Sequence, residues 1–357
     1  MSIFSDYCIE QNKFSNESED SCSSSEKKKN VFFQGSSGQS YRIAYNSFAK
    51  GGEGEIYDLV DNSSIVAKIF HLGKRTSIKE QKILSMVAIQ PGVNQYSWPC
   101  DVLYENGIFV GYIMPKISGI NLRDIYGPHK RKGKSLSNFA NIAKNLTAAV
   151  YHVHLMNQVI GDLSPQNILI DQQSGLVSLT DTDSYHITDS AGNVHRCGVG
   201  MPEYIAPELQ GINFPSASLP TFTKETDSFS LAVLIFALLM NGAHPFSCRI
   251  ISGSLSQFSQ NDNIKNGICP YLSNNPQIGI PIYAPSIKCL PVELQALFKR
   301  AFVDGRIIAK IRPTPEEYYF ALENLERNIK RCENNHEHLY YNQAPECPWC
   351  EVEKRWG

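Results

Sequence analysis

The stretch that decides the reading is Val159-Ile-Gly-Asp162-Leu-Ser-Pro-Gln-Asn167-Ile-Leu-Ile170, with Asp181-Thr-Asp183 following eleven residues later. An aspartate and an asparagine five positions apart sit in a loop between a helix and a short apolar strand. A second short strand, Leu176 to Leu179, leads into Asp181. Asn167 and Asp181 then lie at adjacent strand ends. Their side-chain oxygens could hold Mg²⁺, a hard cation that prefers oxygen ligands and substrate phosphates. Asp162 is left to orient a hydroxyl nucleophile.

Upstream, Gly51-Gly52-Glu53-Gly54-Glu55-Ile56-Tyr57 lies between two predicted strands. Backbone without Cβ atoms can approach a phosphate closely and point N–H groups at it. The same glycines also serve a plain hairpin turn. Fourteen residues after Gly54, Lys68 sits inside the apolar strand Ile65 to Phe70. A lysine there is costly unless its ammonium finds a partner. Either it binds phosphate and is held by an acid, with Glu80 on the following helix as the candidate, or it reaches solvent from an edge strand. Downstream come Gly200-Met-Pro-Glu-Tyr-Ile-Ala-Pro-Glu208, Asp227-Ser-Phe-Ser-Leu231, His244-Pro-Phe246 and Arg312-Pro-Thr314.

In this order the elements resemble the eukaryotic-type protein kinase fold, from about residue 40 to residue 328. The resemblance implies an α+β, two-lobed chain with a small β-rich N-lobe and a helical C-lobe. It implies that Gly51, Gly52, Gly54 and Ile56 cover the nucleotide. Lys68 would contact the α- and β-phosphates of ATP and pair with Glu80. Met114 would be the gatekeeper, with the backbone of Pro115 to Ile117 as the adenine-binding hinge. Asp162 would be the catalytic base, and Asn167 and Asp181 the Mg²⁺ ligands. Glu208 would pair with Arg312, and Asp227 would brace the loop around Asp162.

Several positions depart from that pattern. Ala49 replaces the first glycine of the phosphate loop. Ile160-Gly161 stands where the family has His-Arg, so no arginine is present there to read a phosphate on the activation segment. Asp181-Thr-Asp183 replaces Asp-Phe-Gly. Ser164 stands in place of the catalytic-loop lysine, and Met201 in place of a threonine that contacts both that lysine and the base. Losing one transition-state charge partner costs on the order of 3 kcal/mol if nothing substitutes. The expectation is a Mg²⁺/ATP-dependent Ser/Thr protein kinase of low activity. A nucleotide-binding pseudokinase that recruits partners, and a kinase fold acting on a small molecule or transferring another part of the nucleotide, are the alternatives.

At the C-terminus, Cys332, His336 and His338 are followed by Cys347-Pro-Trp-Cys350. A Cys-x-x-Cys pair plus a Cys/His pair suits tetrahedral Zn²⁺. The segment is too short to bury a core of its own, so metal binding would supply its folding free energy. We favour His338 over His336 as the fourth ligand, beside Cys332, Cys347 and Cys350. With this tail the chain resembles one bacterial group of eukaryotic-like kinases, which carries a Gly-Asp catalytic loop, an Asp-Thr-Asp metal motif and a Cys-Pro-Trp-Cys zinc tail. Some of its members are encoded with a metal-dependent protein phosphatase and a von Willebrand A protein, which implies such partners here.

Composition bounds the rest. With 357 residues, of which 42% are hydrophobic and 19% charged, the chain reads as globular, with two to three structural units. Thirty-three basic residues nearly balance 35 acidic ones, which argues against nucleic-acid binding by a whole-chain positive field. The longest apolar run, Leu231 to Met240, is about half of a bilayer span, so no membrane anchor is expected. Scattered cysteines and the lack of a secretory signal lead us to expect a cytoplasmic protein. The expected division is a Ser-rich disordered tail (1–30), an N-lobe (31–117), a C-lobe (118–329) and a zinc-binding tail (330–357). Helices are expected at Ile78 to Val87, through Phe139 to Val153, at Ser228 to Met240, at Leu294 to Phe302 and at Glu316 to Ile329. Irregular loops are expected over 250–290.

Overall fold

The computed structural model describes residues 31–127, 130, 135–214, 218–252 and 259–356. The expected Ser-rich tail lies outside them. The chain falls into two compact units, Met1–Lys116 and Ile117–Gly357.

The first unit is a closed antiparallel barrel. Its strands are β1 (Val31–Gly35), β2 (Ser40–Lys50), β3 (Gly54–Leu59), β4 (Ile65–Phe70), β5 (Asp101–Glu105) and β6 (Ile108–Pro115), paired in the order β1-β2-β3-β4-β6-β5. Phe33, Tyr41, Ile43, Leu59, Ala67, Leu103, Val110 and Ile113 form its core. β5 is what closes the barrel, by pairing with β1. Its first residue, Asp101, is buried and accepts from Ser36 Oγ (2.6 Å), Ser37 N (3.1 Å), Ser37 Oγ (2.5 Å) and Tyr41 Oη (2.9 Å). The Gly35-Ser-Ser-Gly38 turn is therefore wrapped around a carboxylate. A Cβ on Gly35 would lie 2.1 Å from Asp101 Oδ2. The helix α1 (Ser77–Ala88) starts at Thr76, whose side chain accepts from Lys79 N, and buries Ile83 and Met86. Trp98 Nε1 donates to Met86 O (2.8 Å) near its end.

The second unit is mainly helical. A three-stranded sheet, β7 (Ile120–Asn121), β8 (Ile168–Ile170) and β9 (Val177–Leu179), carries the functional loops, and α2 (Leu122–Tyr126) follows β7 directly. The long α3 (Leu136–Leu155) begins in a capping box of Ser135 and Asn138. The helix α4 (Lys224–Leu239) begins in a second capping box, Thr223 with Thr226, and is buried from Thr226 to its end. A helix apolar on all faces forms the centre of a domain. Phe236, Phe298 and Phe302 pack edge-on or stacked around it.

Three expectations are corrected. Residues 250–290 contain a helix, α5 (Gln260–Asn266), capped by Ser259 and closed by Gly267 at φ +72°. Its Asn-rich sequence hides the helix, because capping rather than an apolar stripe defines it. The expected helix ending at Phe302 is α6 (Val292–Lys299), which widens into a π-turn at Arg300–Asp304 before the short α7 (Gly305–Ile307). The last expected helix, α8 (Pro315–Arg327), stops before Ile329, which enters a hairpin strand. Among the described residues no helix is long and apolar enough to cross a membrane.

Candidate active site and metal cluster

In the first unit, Gly51 and Gly52 lie in the turn between β2 and β3, and Gly54 opens β3. The three glycines have different reasons to be there. A Cβ on Gly54 would lie 2.4 Å from the Ile69 carbonyl of the paired strand, so the sheet itself requires glycine. Gly51 and Gly52 are sterically open: a Cβ at Gly52 meets nothing within 4 Å. Across the sheet Ile56 faces Lys68 on β4, and Lys68 faces Tyr112 on β6. Lys68 is buried, with its ammonium 5.7 Å from the centroid of Phe70 and 6.0 Å from that of Tyr112. On β6, a Cβ at Gly111 would lie 2.0 Å from the Lys68 carbonyl, so this strand passes close beneath the lysine. Met114 is buried on the same strand, Pro115 ends it, and Ile117 opens the second unit. Glu80 accepts from Tyr104 Oη (2.8 Å), a partner that sequence reasoning missed. Burial and the Glu80 carboxylate push the Tyr104 hydroxyl up to about 12.

In the second unit the loop after α3 is held from beneath. Asp227, fully buried on α4, accepts from Ile160 N (2.8 Å) and Gly161 N (2.9 Å). His154 Nε2 lies 3.0 Å from the same carboxylate. Asp162 follows, almost fully buried. Its Oδ1 accepts from the main-chain N–H of Met201 (3.0 Å) and its Oδ2 from Asn167 Nδ2 (3.2 Å). Burial raises the Asp162 pKa above the ordinary carboxylate value. The two hydrogen bonds work against that rise, and the charge of Asp181 adds to it.

With its amide nitrogen on Asp162, Asn167 keeps its carbonyl oxygen for a cation. Asp181 stands just beyond β9, in the left-handed region (φ +55°), and the two strand ends are tied by Thr180 N to Asn167 O (2.9 Å). Asp162, Asn167 and Asp181 are thus brought together, and the side-chain oxygens of the last two are of the donor type a hard cation takes. Ser164 is fully buried, and its hydroxyl has no hydrogen-bond partner among the described residues.

The segment carrying Met201 is anchored further on. Arg312 donates to both oxygens of Glu208 (2.7 Å each) and to Glu225 O (3.1 Å), over the Phe229 ring. The replacement of a threonine by Met201 looks serious in the sequence. In the structure the contact to Asp162 is made by the main chain, which any residue but proline supplies.

At the C-terminus, β10 (Ile329–Arg331) pairs with β11 (Leu339–Tyr341), and α9 (Pro348–Trp356) follows. Neither the hairpin nor α9 was expected. Ligand atoms of Cys332, His338, Cys347 and Cys350 lie within 4.8 Å of one another. His338 Nδ1 is 3.6 Å from Cys347 Sγ and 3.5 Å from Cys350 Sγ, and Cys332 Sγ is 3.7 Å from Cys350 Sγ. Zn–S bonds of about 2.3 Å and a Zn–N bond of about 2.0 Å place tetrahedral ligand atoms about 3.5 to 3.8 Å apart, so the donor set fits such an ion. His338 Nε2 lies 3.0 Å from Glu353 Oε1, a carboxylate that turns Nδ1 toward the sulfurs. Glu353 was missed as well. Its place three residues after Cys350 in the same helical turn is the signal that points to it.

A protein kinase domain model matches residues 47–275. The chain belongs to the protein kinase family. This kinase is 31% identical over 322 residues to Protein kinase YegI of Escherichia coli (strain K12), an alignment covering 86% of this chain and 48% of that protein. It is 27% identical over 136 residues to the cAMP-dependent protein kinase catalytic subunit 2 of Drosophila melanogaster, covering 38% of this chain and 34% of that one. It is 36% identical over 107 residues to the phosphorylase b kinase gamma catalytic chain, liver/testis isoform, of Mus musculus, covering 30% and 25%. The kinase spans about half the length of the Escherichia coli relatives it matches.

Proposed function

We propose that this kinase transfers the γ-phosphoryl group of ATP to a serine or threonine hydroxyl of a protein. The observation that carries the reading is the Asp162 carboxylate, buried, braced by the Met201 N–H and the Asn167 amide, and placed beside Asp181. In this reading Asp162 accepts the proton of the attacking hydroxyl. Lys68, held by Glu80, takes the α- and β-phosphates. Gly51, Gly52, Gly54 and Ile56 cover the nucleotide, and Met114, Pro115 and Ile117 line the adenine site. Asn167 and Asp181 would hold Mg²⁺, which when bound neutralises charge on the phosphates. A cavity of about 480 Å³ lined by Gly200, Pro202, Ile205 and Phe214 flanks Met201, the residue bonded to Asp162, and in this reading it receives a substrate side chain.

Cys332, His338, Cys347 and Cys350 would form a structural Zn²⁺ site in a C-terminal tail (330–357) that follows the N-lobe (31–117) and C-lobe (118–329). A metal-dependent protein phosphatase and a von Willebrand A protein are the partners this reading carries, and the cytoplasm is its location. A second reading, a nucleotide-binding pseudokinase, draws on Ser164, which brings no charge to the site.

Incubation with γ-labelled ATP, Mg²⁺ and a general protein substrate separates the two, with phosphoamino-acid analysis of the product. Asp162→Asn should lower transfer by about 10²- to 10⁴-fold while leaving nucleotide binding in place. Thermal stabilisation by Mg-ATP with no transfer by the wild type would favour the second reading. Label transferred from α-labelled ATP would overturn both.

A further inference from the structure

We propose that Cys197 is a positioning residue for Asp162: its side chain fills the space that Gly161 leaves empty, and so fixes where the Met201 N–H meets the carboxylate. The proposal rests on Asp162 being the base.

Gly161 has φ +80°, a conformation side chains disfavour, and a Cβ there would lie 2.8 Å from Cys197 Sγ and 2.9 Å from Cys197 Cβ. Cys197 is fully buried, in a cluster with Val159, Ile205, Leu209 and Phe222. Its thiol donates to Val199 O (3.2 Å), and two residues later Met201 N–H reaches Asp162 Oδ1 (3.0 Å). The contacts close a ring: Gly161, Cys197, Val199, Met201, Asp162. One side of the ring is fixed, because Asp227 holds Ile160 N and Gly161 N from below. The other side depends on how deep Cys197 seats. The start of the same segment is tied by the bridge between Val159 and His186 and by the pairing of Ile187–Thr188 with Val194–His195.

Position 161 is where the family resemblance expects an arginine that reads a phosphate. Here an uncharged thiol packed on a glycine couples the segment to the loop. The coupling needs no phosphate, so it is present as soon as the chain folds.

The test compares wild type with Cys197→Ala and Cys197→Ser, the first lacking both bulk and donor, the second keeping a donor of similar size. Cys197→Ala should lower kcat about tenfold with little change in KM for ATP. The Met201 amide proton should exchange about tenfold faster, because its seat on Asp162 Oδ1 is no longer fixed. Cys197→Ser should recover most of both. Amide exchange in ¹⁵N-labelled protein reads the Met201 contact without turnover. Wild-type kcat together with wild-type Met201 exchange in folded Cys197→Ala would overturn the proposal. Absence of transfer by the wild type would remove the kinase reading alone, since faster Met201 exchange in the variant would still show Cys197 placing that N–H on the carboxylate.

Discussion

At the residue scale, the site is built from groups whose ordinary chemistry is bent by burial. His244 is the clearest case. Burial lowers its pKa from the ordinary 6.5 to about 4, against the hydrogen bond to the Glu203 carbonyl, which works the other way. Nε2 donates to Glu203 O (2.8 Å) and Nδ1 accepts from Phe246 N (3.2 Å), so the neutral ring uses both nitrogens. The unfolded chain protonates this histidine near pH 6.5 and the folded chain only near pH 4. The stability contributed by the neutral ring is therefore intact above pH 6.5 and lost as pH falls toward 4. The loss amounts to about 3 kcal/mol. Urea unfolding at pH 7 and pH 4.5 should record it, and His244→Phe should flatten the difference. Because His244 binds the segment just after Met201, acid should loosen that segment first, visible as faster amide exchange at Glu203 and Tyr204.

At the element scale, two neighbouring glycines make opposite predictions. Gly54→Ala drives a methyl into the Ile69 carbonyl of β4 and should cost about 3 kcal/mol, because only backbone movement relieves it. Gly52→Ala meets open space and should change stability by about 0.5 kcal/mol or less while raising KM for ATP. Thermal denaturation and nucleotide titration of the pair separate a turn that only closes β2 on β3 from one that also covers phosphate. The Arg312–Glu208 pair joins the segment carrying Met201 to the chain leading into α8. The arginine is fully buried while the carboxylate is partly exposed. Arg312→Ala leaves the glutamate able to reach water, so the expected cost is about 3 kcal/mol, at the low end for a broken buried pair. Denaturant unfolding measures it.

At the scale of the whole molecule, the C-terminal segment packs against the rest of the second unit. Trp356 packs on Tyr283 (5.7 Å between ring centroids), Arg355 donates to Ala284 O (2.9 Å), and Trp349 Nε1 donates to Leu339 O (2.7 Å) within the segment. A two-stranded hairpin and one short helix are too little chain to bury a core of their own, so a Zn²⁺ held by the Cys₃His cluster would act as the staple. One Zn²⁺ per chain is expected by atomic emission. Chelation should expose amides of β10, β11 and α9 to exchange while α3 and α4 stay protected. Cys350→Ser should reproduce the chelated state. Retention of slow exchange in the tail after complete metal removal would contradict the staple.

Much of this was legible in the chain. Apolar spacing marked β4, α3 and α4, because a core is built by side chains that recur on one face. The order of Gly51, Lys68, Glu80, Asp162, Asn167 and Asp181 carried the family, because each is a side chain whose chemistry has few substitutes. The four members of the Cys/His cluster were legible for the same reason. α5 and α9 were not, since a capping serine and a cysteine cluster, rather than a long apolar stripe, hold them. Nor could residue types show that a main-chain N–H at position 201 braces Asp162, that Cys197 occupies the gap at Gly161, or that Tyr104 and Glu353 orient Glu80 and His338. Each of these is a meeting of groups distant in the chain, or of backbone that every residue shares. The amino-acid order settled which reactive groups the molecule owns; packing alone settled which atom each of them faces, since that depends on distances of a few ångströms between segments that sequence leaves unconnected.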